Sequence, residues 1–369
     1  MKIGFDAKWF FSGNPSGKVV VRNILKQLLI KYPEHNYYIF LKSKEKHLVF
    51  PYKAPNIHLV YVWGKPNLIS NVLMIPLRTL FLKLDVCLFQ YSAPPISFFK
   101  RIVYLHDVIF EDSPQYFSLW ERIYYFPLRL LAWRAHRILT VSESEKKRII
   151  LHEYGRKDNV DVISNGVDSK FQPRELHKKD VLQKTKAEYK LPEQFLLYLG
   201  RLNERKNLKN LLRAISFLQN KTIPLILAGT FQWKTFDLPK EICDIGIKDR
   251  VFLPGFIKDE LISPLYSLAT IFCYVSYDEG FGLPPLEAMA SGVPVVVANT
   301  GSLPEICAEA GNYVDPHNPQ EIANMIDNLL VDEDLYRRKK EIGMQRANKF
   351  TWQKSAESLY RCIENTIRK

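Results

Sequence analysis

Two carboxylates frame the stretch of this chain richest in chemistry, "SYDEGFGLPPLEAMASGVPVV" at 276–296, where Glu279 and Glu287 flank a loop with two glycines and two prolines. Glycine lets Gly280 and Gly282 bring backbone close to a ligand, and Pro284 and Pro285 launch a short helix that stops at Gly292. The exposed amides at such a helix start, together with the loop before it, attract phosphate. Carboxylates repel phosphate, but they accept hydrogen bonds from vicinal hydroxyls, as an acidic residue does with ribose in dinucleotide folds. One ligand meets both demands: a sugar nucleotide, with hydroxyls at each end and a diphosphate between them. Read merely as a helix-start charge favoured by the dipole, Glu287 would leave the glycines and Glu279 without a purpose.

Three further segments follow apolar runs and carry reactive side chains. In "YLGRLNERKNLKNLL" (198–212), Arg201 and Lys206 stand where they could neutralise a diphosphate, Arg with a two-pronged fork and Lys as a point charge; Arg205 and Lys209 read as members of a solvated charged face. In "YLHDVIF", His106 and Asp107 close a buried strand, as hydrogen-bonding or proton-handling groups or as a satisfied structural pair. In "FFSGNPSGKVVVRNIL", a loop leads into a helix and could offer the amide of Gly17 to the same diphosphate; glycine and proline also simply make turns. No P-loop lysine, paired-histidine metal motif or serine elbow is present. The Asp-x-Asp "DED" at 332–334 reads as a solvated helix start, so no metal is expected.

These segments need a scaffold that delivers them to one edge. Short, continuous apolar runs ("KIGFDA", "NYYIFL", "RIVYLHDV", "RILTVS", "NVDVIS", then "FLLYLG", "PLILAG", "RVFLPG", "TIFCYVS", "VPVVVA") alternate with helical patterns. Continuous rather than alternating apolar character implies strands buried on both faces, hence parallel sheets with helices on either side. The pattern is α/β and doubly wound, and it occurs twice. The polar, proline-bounded "DSKFQPRELHKKDVLQKTKAEYKLPEQ" (168–194) separates the two sets and reads as a connector with a short helix. The expected division is a first domain over 1–170, a linker over 171–194 and a second domain over 195–351, the two facing each other across a crevice into which the carboxyl ends of the strands would point.

A chain of 369 residues is long enough for two such domains of about 150 to 200 residues each. Its five cysteines are scattered and odd in number, which argues against a disulfide framework or a zinc site. The N-terminal segment turns polar too early for a secretory signal, and no apolar run reaches the roughly 18 residues of a membrane span; a cytoplasmic protein is expected. Of the net charge of +13, residues 1–175 carry +11, with 26 Lys+Arg against 15 Asp+Glu. No recognition-helix or aromatic-platform signature accompanies this charge, so nucleic acid is not the expected partner. An anionic membrane surface is: "NLISNVLMIPLRTLFLKL" (67–84) and "RIYYFPLRLLAWRAHRI" (122–138) mix apolar, aromatic and basic residues as interfacial helices do, although buried helices with basic ends would look the same. Pro76 and Pro127 interrupt either version.

With these residues in hand, the sequence resembles the family 4 retaining glycosyltransferases of the GT-B fold. The resemblance spans nearly the whole chain and is strongest at "EGFGLPPLEAMASGVPVVVANTGSLPEI", with "LHDVIF", "RILTVSESEKKRI", "VISNGVD", "YLGRLNERKNL" and "VFLPGF" in support. It departs where Lys18 and Val19 follow Gly17 in place of a second glycine, and where Ser164 replaces a common proline. The resemblance implies that Glu279 contacts the transferred sugar, Glu287 the donor ribose, and the amides of Gly280, Phe281, Gly282 and Leu283 the sugar and phosphates. It likewise implies that Arg201 and Lys206 bind the diphosphate, that His106 binds the sugar from the opposite domain, and that the last helix, within 352–369, packs back on the first domain. The donor-side motifs look most like mannosyltransferases that use GDP-mannose to build polysaccharide or lipopolysaccharide on a glycan or lipid-linked acceptor, with the nucleotide sugar as substrate and no cofactor. Alternatives are a UDP-sugar-dependent transferase of the same fold and a non-catalytic sugar-nucleotide-binding scaffold.

Overall fold

Every strand in the computed structural model, which describes residues 1–63, 67–230 and 237–368, belongs to one of two sheets, and every strand pairing is parallel. The chain divides into two units, Met1–Gly166 together with the segment beginning at Thr351, and Val167–Phe350. The first unit holds β1 (Lys2–Asp6), β2 (Asn36–Lys42), β3 (Ile57–Val62), β4 (Val86–Gln90), β5 (Lys100–Tyr104), β6 (Arg137–Thr140) and β7 (Val160–Val162), in the order β3-β2-β1-β4-β5-β6-β7. The second holds β8 (Leu196–Leu199), β9 (Leu225–Ala228), β10 (Val251–Gly255), β11 (Ile271–Tyr274), β12 (Val295–Ala298) and β13 (Gly311–Val314), in the order β10-β9-β8-β11-β12-β13. In each sheet the order reverses once, between β1 and β4 and between β8 and β11. At such a reversal the loops leaving the two strands diverge to opposite faces and open a site at the carboxyl ends.

The ten apolar runs of the sequence all become strands, and β9, β11 and β12 are buried along their whole length, as parallel strands covered on both faces must be. Three strands were not anticipated. β4, "VCLFQ", is entirely buried at the centre of its sheet but follows so closely on "LRTLFLKLD" that its apolar run merges with a helical one. β3 is a half-exposed edge strand, and β13 contributes four residues that include Gly311 and Asn312.

Proline decides the helices of the first unit. Ahead of Pro76, which has no N–H to donate, residues Ser70–Met74 widen into a π turn before the helix Ile75–Thr79. Pro127 divides the next basic stretch into Leu119–Tyr125, opened by a Ser118/Glu121 capping box, and Leu128–Trp133. Both stretches bury one face, with Ile75, Leu128 and Ala132 in a shared core beside Phe89 and Val103. The opposite faces leave Phe81, Trp120 and Phe126 at least 80% exposed. No helix among the described residues is long and apolar enough to cross a membrane.

The segment 168–194, expected as a connector, forms the helix Lys179–Tyr189, which closes on Lys190 in the left-handed region. It belongs to the second unit, tied to the region of the helix Ile262–Leu268 by Lys258 against Glu188 at 2.6 Å and by the Lys258 amide donating to Tyr189 Oη at 3.1 Å. The "DED" run caps a helix as read, with Asp332 accepting from the Leu335 amide ahead of Glu333–Ala347. The last helix, Trp352–Arg368, packs within the first unit: Tyr360 stacks on Tyr32 with centroids 3.6 Å apart and meets His35 Nε2 at 2.8 Å, and Ser355 Oγ donates to the Ser164 carbonyl.

That return depends on a glycine. A Cβ on Gly166 would lie 2.2 Å from the Trp352 backbone nitrogen and 2.5 Å from the Thr351 carbonyl carbon, so no side chain can move aside to admit it. Gly166→Ala should therefore lower stability by more than about 2 kcal/mol in urea unfolding, and a variant of wild-type stability would contradict this docking of the last helix.

Candidate functional site

In the second unit, the pairing of β8 with β11 (Leu196 opposite Ile271, Leu197 opposite Phe272) sets two loops side by side that lie more than seventy residues apart in sequence. The loop after β8 carries Arg201, then a 3₁₀ turn over Glu204–Lys206, then Asn207 in the left-handed region at the start of the helix Leu208–Phe217. The loop after β11 carries Ser276 to Gly282. Asn207 Nδ2 donates to the Val275 carbonyl at 2.9 Å, and the Tyr277 amide donates to the Arg205 carbonyl at 3.0 Å, which pins one loop to the other.

The product of this alignment is a buried ion pair. Lys206 Nζ contacts Glu279 Oε1 and donates to Tyr274 Oη at 2.7 Å, with the Tyr274 ring centroid 5.0 Å away; both charged residues are 7% exposed. Arg205 approaches the other carboxylate oxygen of Glu279 at 3.5 Å and also donates to the Asp278 carbonyl. Burial acts to raise the Glu279 pKa, but the charges of Lys206 and Arg205 and the hydrogen bond from Lys206 outweigh it and hold the carboxyl down at about 2. For Lys206, burial together with the neighbouring charges of Arg205 and Arg201 prevails over the attraction of Glu279 and brings the amine to about 8, still protonated at neutral pH. Arg205, read from the sequence as part of a solvated face, thus belongs to the buried cluster. Lys209 is solvated as read, 3.8 Å from Glu241.

Beyond Glu279, Gly280, Phe281, Gly282 and Leu283 are all buried. Gly282 adopts φ 108°, open only to glycine at reasonable cost, and caps the helix Leu283–Ala290, with the two prolines in its first turn. A second loop, after β12, supports this one: Ser302 Oγ donates to the carbonyls of Glu279 and Phe281 at 2.9 and 2.8 Å. Gly301 comes so close that a Cβ would lie 2.6 Å from Asp278 Oδ1. The helix ends at Ala290 and turns at Gly292, φ 72°, where the sequence places its stop.

Glu287 lies on that helix and does not join the ion pair. Its Oε2 accepts from Tyr266 Oη at 3.0 Å, and burial, opposed by that hydrogen bond and by the charge of Lys170, raises its carboxyl to about 7. Two glutamates alike in sequence are therefore unlike in chemistry, one firmly ionised and one poised near neutrality.

His106 and Gly17 sit in the first unit, close to each other through Trp9. His106, just past β5, is stacked on Tyr104 (centroids 4.5 Å apart) and 5.6 Å from the Trp9 ring, with Nε2 2.8 Å from Gln90 Oε1. Burial lowers its pKa to about 4, so the ring is neutral at pH 7 and suited to hydrogen bonding rather than to acid catalysis. Gly17, in the first turn of the helix Pro15–Lys31, packs beneath the same indole, where a Cβ would meet Trp9 Cε3 at 2.5 Å. Sequence reasoning missed what lies below: Asp6 and Lys8, nearly fully buried, pair at 2.9 Å, and Lys8 also contacts Asn71, which donates to the Gln90 and Ser92 carbonyls.

The Glu279 carboxyl takes up a proton only near pH 2 in the folded protein but near 4.5 once unfolded, so between these values the unfolded chain binds the proton and stability falls as pH drops. Wild type should lose on the order of 3 kcal/mol more than Glu279→Gln across this window in urea titrations; parallel pH profiles would contradict the ionised, buried state.

Residues 182–346, which contain Arg201, Lys206, Glu279 and Glu287, match the family model described as glycosyl transferases group 1. The O-antigen chain mannosyltransferase B of Escherichia coli is 32% identical over 308 residues, covering 80% of this chain and 79% of that protein. The serotype-specific mannosyltransferase WbdA of Escherichia coli is 31% identical over 228 residues, 60% of this chain but 28% of the relative, so the match spans under a third of that longer protein. Among solved structures, Anabaena HepE in complex with UDP and glucose superposes with a TM-score of 0.75 at 21% identity over 99% of both chains, a likeness of fold. On these matches and on its two parallel doubly wound sheets, the chain belongs to the group 1 glycosyltransferases and has their GT-B fold.

Proposed function

We propose that this glycosyltransferase moves a hexose from a nucleotide sugar to a glycan or lipid-linked acceptor with retention of configuration, that mannose from GDP-mannose is the donor, and that the product is a polysaccharide or lipopolysaccharide chain. The observation that carries the reading is the buried cationic cluster of Arg205 and Lys206 locked on Glu279 at the carboxyl end of the β8/β11 reversal, beside a glycine loop that opens a helix. There the side-chain cations, with Arg201, compensate a diphosphate without a metal ion or other cofactor, and the amides of Gly280 to Leu283 meet its phosphates and the sugar. Glu279 accepts from the hydroxyls of the transferred sugar and Glu287 from those of the ribose, while neutral His106 supplies a hydrogen bond to the sugar. As the bond from sugar to diphosphate breaks, charge gathers on the departing nucleoside diphosphate, where fixed cations and peptide dipoles stabilise it; the acceptor hydroxyl attacks from the same face and gives its proton to the departing phosphate oxygen.

The mannosyltransferase relatives support the choice of sugar, and a UDP-sugar donor is the second reading, favoured by the HepE complex with UDP and glucose. The excess of positive charge in the first 175 residues and the exposed Phe81, Trp120 and Phe126 support a cytoplasmic enzyme docked at an anionic membrane surface.

Calorimetry with a panel of GDP-, UDP- and ADP-sugars should show GDP-mannose binding most tightly; tighter binding of UDP-glucose would replace it with the second reading. Arg201→Ala and Lys206→Ala should each lower kcat about 10² to 10³-fold, and near-normal turnover in both would remove the diphosphate assignment. A hydroxyl pair donating to Glu287 favours its ionised form, so donor affinity should weaken below pH 7 by up to about tenfold per unit. Glu287→Gln should bind weakly with a flat profile; the same slope in the variant would place the titration elsewhere.

A further inference from the structure

At the amino-terminal edge of the first sheet, opposite to the edge that carries His106, the residues just ahead of β4, β5, β6 and β7 form a groove with two arms. One arm, a cavity of 490 Å³, is lined by Lys100, Arg134, His136, Arg137 and Arg156, with Trp133 and Thr366. The other, 380 Å³, has an apolar side of Leu84, Phe98, Phe99 and Ile367 and a polar side of Asp85, Ser97, Lys100 and His136. Lys100 and His136 line both, which makes the arms continuous.

The cationic arm holds more charge than its surroundings neutralise. Arg137 faces Asp161 at 3.7 Å and Arg156 faces Asp158 at 3.4 Å, but among the described residues the side chains of Lys100 and Arg134 have no hydrogen-bonding or ionic partner. Asp85, in the second arm, accepts from the Lys2 amide at 2.7 Å. His136 Nδ1 accepts from the Arg101 amide at 3.1 Å, which leaves Nε2 to carry the hydrogen of a neutral ring. Burial and the charges of Arg101 and Lys100 lower the His136 pKa, and burial and Arg134 lower that of Arg101: the cations press on one another. A monoanion placed among them would relieve that repulsion.

The second arm identifies the anion's bearer. A free phosphate has no use for the apolar side of that arm, nor for Phe98 at 91% exposed, Ile96 at 79% and Trp133 at 50% around the groove. Cations beside exposed aromatic and aliphatic side chains are what a bilayer interface selects.

We propose that this groove is a headgroup site for an anionic phospholipid, with the phosphodiester among Lys100, Arg134 and Arg156 and the start of an acyl chain along Phe98. The proposal rests on membrane docking as read above and assigns it to a site. Lys100 begins the strand that His106 follows, so six residues of extended chain, about 20 Å, separate the lipid from the imidazole, and the two do not compete.

The test is co-sedimentation with vesicles of phosphatidylglycerol in phosphatidylcholine. Wild type should bind, and Lys100→Ala/Arg134→Ala/Arg156→Ala should bind about tenfold or more weakly. Lys44→Ala/Lys46→Ala/Lys53→Ala, which removes the same charge from exposed sites near β2, should lose no more than about twofold. Phe98→Ser should weaken binding that persists in high salt, and nucleotide-sugar binding by calorimetry should be the same in all variants, showing that they fold. Equal losses in the two triple variants would overturn the groove while leaving membrane docking in place. No binding by wild type would overturn both, and saturable uptake of inorganic phosphate in place of vesicles would overturn the lipid.

Discussion

A lysine and a glutamate buried against each other, Lys206 and Glu279, set the terms for the second unit. Removing two charges from water costs several kcal/mol per ion, and their attraction offsets that only when geometry is held and the remaining polar atoms are satisfied. Tyr274, Arg205 and the backbone around Asp278 provide that company. The pair exists because β8 and β11 lie side by side at the one place where strand order reverses, and it persists because Asn207, Tyr277 and Ser302 tie three loops together. Charges fixed in this way by their neighbours have little freedom to reorganise.

The contrast between the two glutamates follows from their neighbours. Glu279 has two cations in reach and stays ionised; Glu287 has a tyrosine hydroxyl and the charge of Lys170, and burial carries it towards neutrality. Environments push two like groups apart in this way: one is a permanent charge that holds Lys206 and Arg205 in place, and the other a carboxyl that titrates near neutral pH.

The first unit uses its two edges differently. At the carboxyl edge His106 packs against Trp9 and Tyr104, and the buried Asp6 and Lys8 compensate each other. At the amino edge the cations outnumber their partners and border exposed aromatic residues. Parallel strands make this division natural, since all loops of one kind emerge on one side.

Much of this was legible in advance. Continuous apolar runs gave ten of thirteen strands and the doubly wound class, and glycines, prolines and carboxylates marked the loop at 279–287 because those residue types have few alternative uses in such an order. β4 escaped because its run merges with a helical one, and β3 and β13 because an edge strand and a four-residue strand carry little periodicity. Arg205 escaped because a charge run looks the same whether one member turns inward or none does. The linear order of residues, then, determined the local elements and the chemistry available at their ends, since propensity and periodicity act over a few neighbours. Which of those groups would meet, Lys206 with Glu279 but not Glu287 with either, was decided by strand order and loop packing, because the fields that set their charge states extend through space and not along the chain.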